Sequence, residues 1–235
     1  MTRQRAPLIC FVGPMNSSKT RRLIDHLSEC RDALNYRIRV YKPALDDRFD
    51  NTEVRCRNGG CWKAIPVPGI TKTKADSIFI FKDIYKLPKK KRPNLIAIDE
   101  IQFFDKHIKE VIKCFLDDNI EVVVAGLNRS FRGEPFKSIE ALLGLATKIE
   151  TLTARCTYKD GHGHTCGAPA TMTQRLINGK PAHYRSPTVI IEKIGDSKVT
   201  YEARCADHWF CPGVPVSPLK KKKLPKIRLK KIWRK

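Results

Sequence analysis

The stretch Leu8-Ile9-Cys10-Phe11-Val12-Gly13-Pro14-Met15-Asn16-Ser17-Ser18-Lys19-Thr20 decides how this chain is read. Its first five residues are apolar without polar alternation, which fits a strand covered on both faces. The Gly-Pro step ends that run. Leu23, Ile24 and Leu27 then recur at helical spacing, so a helix is expected from about residue 18 to 34. A loop between strand and helix that closes on lysine and threonine is where a phosphate loop belongs. Its backbone N–H groups would converge on an anion, backed by the positive end of the helix. Lys19 would reach the terminal phosphates of a nucleotide, and Thr20 would offer its hydroxyl to Mg²⁺. Gly13, Pro14, Met15, Asn16, Ser17 and Ser18 complete the candidate nucleotide-binding loop. Ser18 stands where the usual pattern has glycine, and its Cβ crowds a place where a strained φ favours glycine. Taken alone, the same residues also describe an ordinary strand-to-helix turn with a serine N-cap.

A second stretch, Asn94-Leu95-Ile96-Ala97-Ile98-Asp99-Glu100, favours the nucleotide reading. An apolar strand ending in an acid is how the metal-side carboxylate of such sites is presented. Asp99 would orient Mg²⁺ through water. Glu100, one residue on, could face an acceptor hydroxyl and take its proton.

Outward from these two stretches, further strand-like runs lie at 38–41, 78–81 and 122–125, with helical candidates at 106–117 and 138–147. Strands alternating with helices predict an α/β fold, a P-loop-type parallel sheet flanked by helices. Beyond about residue 150 cysteine, histidine, glycine and proline become denser, and the strands look short and antiparallel. The expected organisation is a nucleotide-binding domain over 1–150, a small domain over 151–213 and a basic tail, expected to lack order, over 214–235.

The chain has 235 residues, enough to bury a substantial core, and its 41% apolar against 30% charged residues argue against disorder. No apolar run approaches the roughly 18 residues of a membrane span. The residues before Leu8 are too few for a signal peptide, so the expectation is a cytoplasmic protein with no membrane partner. Lys and Arg number 46 against 24 Asp and Glu, a formal charge of +22. That balance invites a nucleic-acid reading. Ten of the basic residues fall in 214–235, which holds no acid, leaving +12 for the rest. A second basic knot is Lys86-Leu87-Pro88-Lys89-Lys90-Lys91-Arg92. Both runs read as solvated surface or as contacts for an anionic partner.

Several blocks, in order, resemble the type II (cellular and bacterial) thymidine kinases. They are Gly13-Pro14-Met15, Tyr41-Lys42-Pro43-Ala44-Leu45-Asp46-Asp47-Arg48-Phe49, Cys56-Arg57-Asn58-Gly59 and Asp99-Glu100-Ile101-Gln102-Phe103-Phe104. They continue with Gly126-Leu127-Asn128-Arg129-Ser130-Phe131-Arg132-Gly133, Cys166-Gly167-Ala168-Pro169-Ala170-Thr171-Met172-Thr173-Gln174-Arg175-Leu176 and Tyr201-Glu202-Ala203-Arg204-Cys205. The resemblance covers about residues 7–213.

The resemblance implies transfer of the γ-phosphate of ATP to the 5′-hydroxyl of thymidine or deoxyuridine, with Glu100 as the base. It implies ATP on the 13–20 loop and Mg²⁺ near Thr20 and Asp99. Asp46 and Arg48 would lie near the phosphates, and Gln102 would come to the nucleotide side with its motif. Met15, Leu127 and Phe131 would pack around thymine and sugar, and Arg132 and Tyr201 would join the substrate side. A lasso loop, expected at about 176–200, would read the base through its main chain. A homo-oligomer, tetramer or dimer, is implied as well.

Nine cysteines without a secretory signal argue for thiols and metal rather than disulfides. Cys10, Cys30 and Cys114 read as small buried apolar residues, and Cys56 and Cys61 receive no role. The resemblance implies structural Zn²⁺ in the small domain on Cys156, Cys166, Cys205 and His208. Nine residues separate the first two, where the family's pair has two, and His162, His164 and Cys211 are the substitutes.

A second function stays open at this level: a catalytically weakened relative that binds nucleic acid or a ribonucleoprotein through its basic surface and tail. It draws on Ser18, on Asn128 where the family usually has aspartate, on Gly195-Asp196 where Gly-Gly is common, and on the charge.

Overall fold

The computed structural model describes residues 5–45, 52–56, 59–190 and 198–215. Asp46, Arg48, Gly195, Asp196 and nearly all of the basic tail lie outside the described residues.

Six strands form the main sheet: β1 Leu8–Gly13, β2 Ile38–Pro43, β3 Ile65–Val67, β4 Leu95–Ile98, β5 Glu121–Leu127 and β6 Lys148–Thr151. Their order is β6-β1-β5-β4-β2-β3, and every pairing is parallel. Because side chains alternate along a strand, the apolar runs feed two cores. Leu8, Cys10, Val12, Ile96, Ile98, Val122 and Val124 face one side. Phe11, Leu95, Ala97, Val123 and Ala125 face the other.

The second face is covered by α1 (Lys19–Leu34), which buries Leu23, Ile24, Leu27 and Cys30 on one stripe. The first is covered by α2 (Ser77–Tyr85), α3 (Ile108–Asp117) and α4 (Lys137–Leu143). Each fully buried Leu, Ile or Phe contributes about 1.5–3 kcal/mol relative to exposure. The sheet is an α/β P-loop-like fold, with its carboxyl ends collected on one edge.

Residues 78–81 are helical, not a strand. Asp76 caps the helix by accepting a 2.9 Å hydrogen bond from the Ile78 N–H. Ile80 and Ile84 point into the core, and Ile78, Phe79 and Phe81 pack at its margin, so the helix is apolar over most of its circumference. Such a helix has the same short apolar signature as a buried strand. The place beside β2 is taken instead by β3, which pairs Tyr41 with Ile65. Cys114 is exposed on α3 rather than buried, whereas Cys10 and Cys30 are buried.

Beyond β6 the pairings are antiparallel. Ala154–Arg155 pairs with Pro169–Ala170, and Met172–Ile177 runs between Lys180–Pro181 and Val199–Arg204. This part touches the main sheet's loops directly: the Met15 N–H donates to Thr173 Oγ1 at 3.1 Å, and Trp209 Nε1 donates to the Phe131 carbonyl at 3.1 Å. The basic knot before β4 is a single exposed turn over Lys89–Lys91. Arg92 beside it is structural: it pairs with Asp118 at 2.9 Å and lies over the Tyr85 ring.

Candidate active site

β1 delivers the 13–20 loop to the carboxyl edge of the sheet. Within it Ser17 Oγ donates to the Pro14 carbonyl at 2.9 Å, and Lys19 Nζ donates to the same carbonyl at 2.6 Å. Lys19 is therefore folded over its own loop. Asn16 and Ser18 both have φ of 61°, in the left-handed region. Ser18 precedes α1 without a side-chain capping hydrogen bond. The loop thus differs from an ordinary serine-capped turn, and it places a Cβ where the backbone favours glycine.

Asp99 follows β4 and is buried. Its Oδ2 accepts a 3.0 Å hydrogen bond from Thr20 Oγ1, joining the two stretches that the sequence singles out. Glu100 has φ of 51°, in the left-handed region, and its carboxylate meets Gln102 while that of Asp99 meets Thr20. Gln102 is fully buried. Its Nε2 donates to Glu100 Oε2, and its Oε1 accepts from the Leu127 N–H at 3.0 Å. Gly126 makes room for this bridge, because a Cβ there would lie 2.5 Å from Gln102 Oε1. Lys74 adds a brace that the sequence reading did not assign. Its Nζ donates to the carbonyls of Gln102 and Phe104, each at 3.1 Å, and burial pulls its pKa down.

Next to these groups lies a cavity with about 540 Å³ of empty volume, open to solvent. Met15, Glu100, Gln102, Leu127, Phe131 and Tyr201, all singled out in the sequence, line it together. Its far wall includes Arg175 and residues 188–190. Arg132 points elsewhere: its Nη2 donates to the Ser186 carbonyl at 2.7 Å, and its guanidinium lies over the Tyr184 ring.

Arg175, within the 166–176 block, has a role that its sequence position alone does not reveal. Only 1% of it is exposed. Its Nε donates to Tyr201 Oη at 2.8 Å, and its two terminal nitrogens donate to the carbonyls of Pro187 and Thr188. Tyr201 in turn donates to the Ile190 carbonyl. The guanidinium also lies 4.0 Å from the centre of the Phe131 ring. One buried cation therefore fixes the segment 187–190, the tyrosine and the aromatic floor of the cavity. Burial pulls its pKa down, against the favourable contact with Tyr201. The sequence could not show this, since the partners are main-chain carbonyls from a loop without regular structure.

Beyond β6, Cys156, Cys166, Cys205 and His208 bring their ligand atoms within 4.8 Å of one another. His208 Nδ1 is 3.7 Å from Cys156 Sγ and 3.3 Å from Cys205 Sγ. Three sulfurs and one imidazole nitrogen fit a closed tetrahedral zinc site. Burial pushes the Cys156 thiol up, but backbone hydrogen bonds from Cys205 and Tyr158 and the contact with His208 bring it down to about 6. The segment between Cys156 and Cys166 begins by laying Tyr158 on His208, with ring centres 4.1 Å apart. Its tip carries His162 and His164 exposed, while Cys211 is buried near Ala182, so none of the three joins this group.

A phosphate-type loop whose threonine meets a strand-end aspartate, with a second carboxylate turned into an adjoining cavity, is the arrangement of a P-loop-type nucleotide-dependent kinase. The sequence model of the family described as thymidine kinase matches residues 6–209. A thymidine kinase of Mycoplasmoides gallisepticum is 36% identical over 217 residues, 92% of this chain and 87% of that protein. A thymidine kinase of Thermococcus kodakarensis is 36% identical over 202 residues, 86% of this chain and 93% of that one. The chain belongs to the thymidine kinase family. A solved DNA replication initiation factor aligns over 63% of this chain and 40% of its own, at 11% identity and a TM-score of 0.32, too remote to inform the site.

Proposed function

We propose that this protein transfers the γ-phosphate of ATP to the 5′-hydroxyl of thymidine, or of deoxyuridine, with Glu100 as general base. The observation that carries this reading is the position of Glu100. Its side chain lines the cavity with Met15, Leu127, Phe131 and Tyr201, while its neighbour Asp99 touches Thr20 of the 13–20 loop. A nucleoside held among those apolar and aromatic side chains would have its hydroxyl beside a carboxylate, at the border of the phosphate-binding loop.

Phosphoryl transfer leaves little covalent work to protein groups, so positioning and charge neutralisation supply most of the rate. Gln102 holds Glu100 from one side, and Lys74 steadies the loop that carries both. Lys19 would exchange its Pro14 carbonyl for phosphate oxygens when nucleotide binds. Thr20 and Asp99 would hold the Mg²⁺ that accompanies ATP, which offsets the charge on the β- and γ-phosphates. The remaining loop residues Gly13, Pro14, Asn16, Ser17 and Ser18 would cradle the phosphates through their backbone. Asp46 and Arg48 are assigned to the phosphate side by resemblance alone. Arg132 would act on the substrate side through the segment it holds at Ser186.

The division into a nucleotide domain over 1–150 and a zinc and lasso domain over 151–213, followed by the tail, belongs to the same reading. Zn²⁺ on Cys156, Cys166, Cys205 and His208 would fasten the strands from which Arg175 and Tyr201 project, away from the chemistry. A homo-oligomer also belongs to this reading. No helix among the described residues is long and apolar enough to cross a membrane.

The test is purified protein with ATP, Mg²⁺ and labelled thymidine. Formation of thymidylate is expected. Absence of product, with no ATP-dependent thermal shift, would contradict the reading and favour a relative that has lost catalysis and acts through its basic surface.

A further inference from the structure

At the opposite edge of the sheet from the 13–20 loop, three side chains that the mechanism does not use converge on one point. His26 and Cys30 lie one turn apart on α1, and Glu121 opens β5. Their ligand atoms all lie within 4.8 Å of one another. Cys30 is 5% exposed, and the side chains of His26 and Glu121 are each 14% exposed.

The bland reading is a hydrogen-bonded polar cluster, and the geometry argues against it. Cys30 Sγ is 3.6 Å from His26 Nε2, and Glu121 Oε1 is 3.5 Å from the same nitrogen. A ring nitrogen has one in-plane direction, for one proton or one lone pair, so it cannot bond well to both partners. The carboxylate contact is also long, since charge-assisted N–H···O bonds run at about 2.7–2.9 Å. The same distances suit a shared ion. With metal–sulfur near 2.3 Å and metal–nitrogen or metal–oxygen near 2.0–2.1 Å, tetrahedral ligands stand about 3.6 Å (S···N) and about 3.4 Å (N···O) apart. The zinc-type group beyond β6 has comparable spacings of 3.3 and 3.7 Å.

The surroundings support a ligand role for His26. Phe11 packs edge-on against the ring, 5.9 Å between centres, and limits its rotation.

We propose that His26, Cys30 and Glu121 form a second metal site, for a divalent transition ion of borderline softness such as Zn²⁺. Sulfur, nitrogen and oxygen supply three ligands, and the fourth position is open to water. Binding releases the Cys30 thiol proton to solvent. The ion ties the later half of α1, the helix that begins at the phosphate loop, to the amino end of a central strand. The site is separate from the Cys156 group and does not depend on the kinase reading.

The test counts metal on the full-length protein. Wild type, Cys30→Ser and Glu121→Gln are saturated with Zn²⁺, desalted and analysed for metal per chain. Titration with Co²⁺ follows the thiolate-to-metal absorption. Cys30→Ser is expected to hold one ion fewer than wild type and to lose one Co²⁺ transition while keeping that of the Cys156 group. Glu121→Gln is expected to bind the same ion at least about tenfold more weakly. If Cys30→Ser does not fold, the Glu121→Gln titration decides alone. Equal metal content and indistinguishable Co²⁺ titrations across the folded variants would overturn the proposal.

Discussion

The amide of Gln102 donates to the carboxylate of Glu100 while its oxygen accepts from the Leu127 N–H at 3.0 Å. One buried side chain thus fixes the proposed base relative to the end of the neighbouring strand. Gln102→Met keeps the volume and removes both contacts. We expect kcat to fall by about 10²-fold, as a misplaced reacting group does, with the thymidine KM close to wild type. Steady-state kinetics checks this, and a pure KM effect would show that Gln102 serves binding instead.

Ser18 holds φ of 61° without a capping hydrogen bond. A left-handed conformation costs a side-chain-bearing residue about 1–2 kcal/mol, partly offset by the flexibility that glycine gives the unfolded chain. Ser18→Gly should therefore raise the melting temperature slightly and leave the KM for ATP equal or lower. A clear drop in either stability or ATP affinity would mean that the serine hydroxyl has a role of its own.

Arg175 holds Tyr201 and the carbonyls of Pro187 and Thr188. Lysine is a point charge and cannot span all three. Losing one charged hydrogen bond of about 1.5–3 kcal/mol corresponds to roughly 10–100-fold. Arg175→Lys should raise the thymidine KM by that order and leave the ATP KM unchanged. Equal loss for both substrates would point to a general folding defect.

Asp83 is buried between α2 and β2, where Lys86, Tyr41 and Arg39 contact its carboxylate. Burial pushes its pKa up, but these three partners outweigh it and hold the carboxyl below the usual range. A depressed carboxyl stabilises the fold fully above its ordinary pKa of about 3.9, and that contribution fades as pH falls through the lower folded value. Asp83→Asn should cost about 1–3 kcal/mol near neutral pH by removing the charge that accepts from Arg39, Lys86 and Tyr41, since both cations keep contact with water. The gap from wild type should narrow below about pH 4 in thermal melts. A gap independent of pH would contradict this.

How far these features can be read from sequence depends on where their partners lie. The 13–20 loop and Asp99-Glu100 are legible because each pairs an uninterrupted apolar strand with polar residues at its end. Met15, Leu127, Phe131 and Tyr201 come from motif order, and they meet at one cavity. Residues 78–81 read as a strand because apolar residues around most of the helix circumference hide its 3.6-residue period, and the Asp76 cap is the signal that marks it. β6 escapes notice because Lys148 and Glu150 interrupt an exposed edge strand. Lys74 and Arg175 bind main-chain carbonyls, and no residue pattern records those partners.

In the proposed reaction Glu100 takes the proton of the nucleoside hydroxyl in a site already built for both substrates. Single-turnover phosphorylation of thymidine by Glu100→Gln, alongside calorimetric binding of thymidine and ATP, tests it most directly. Loss of the proton acceptor should slow the chemical step by about 10²–10⁴-fold while both substrates bind nearly as in wild type. A single-turnover rate close to that of wild type would rule out Glu100 as the base.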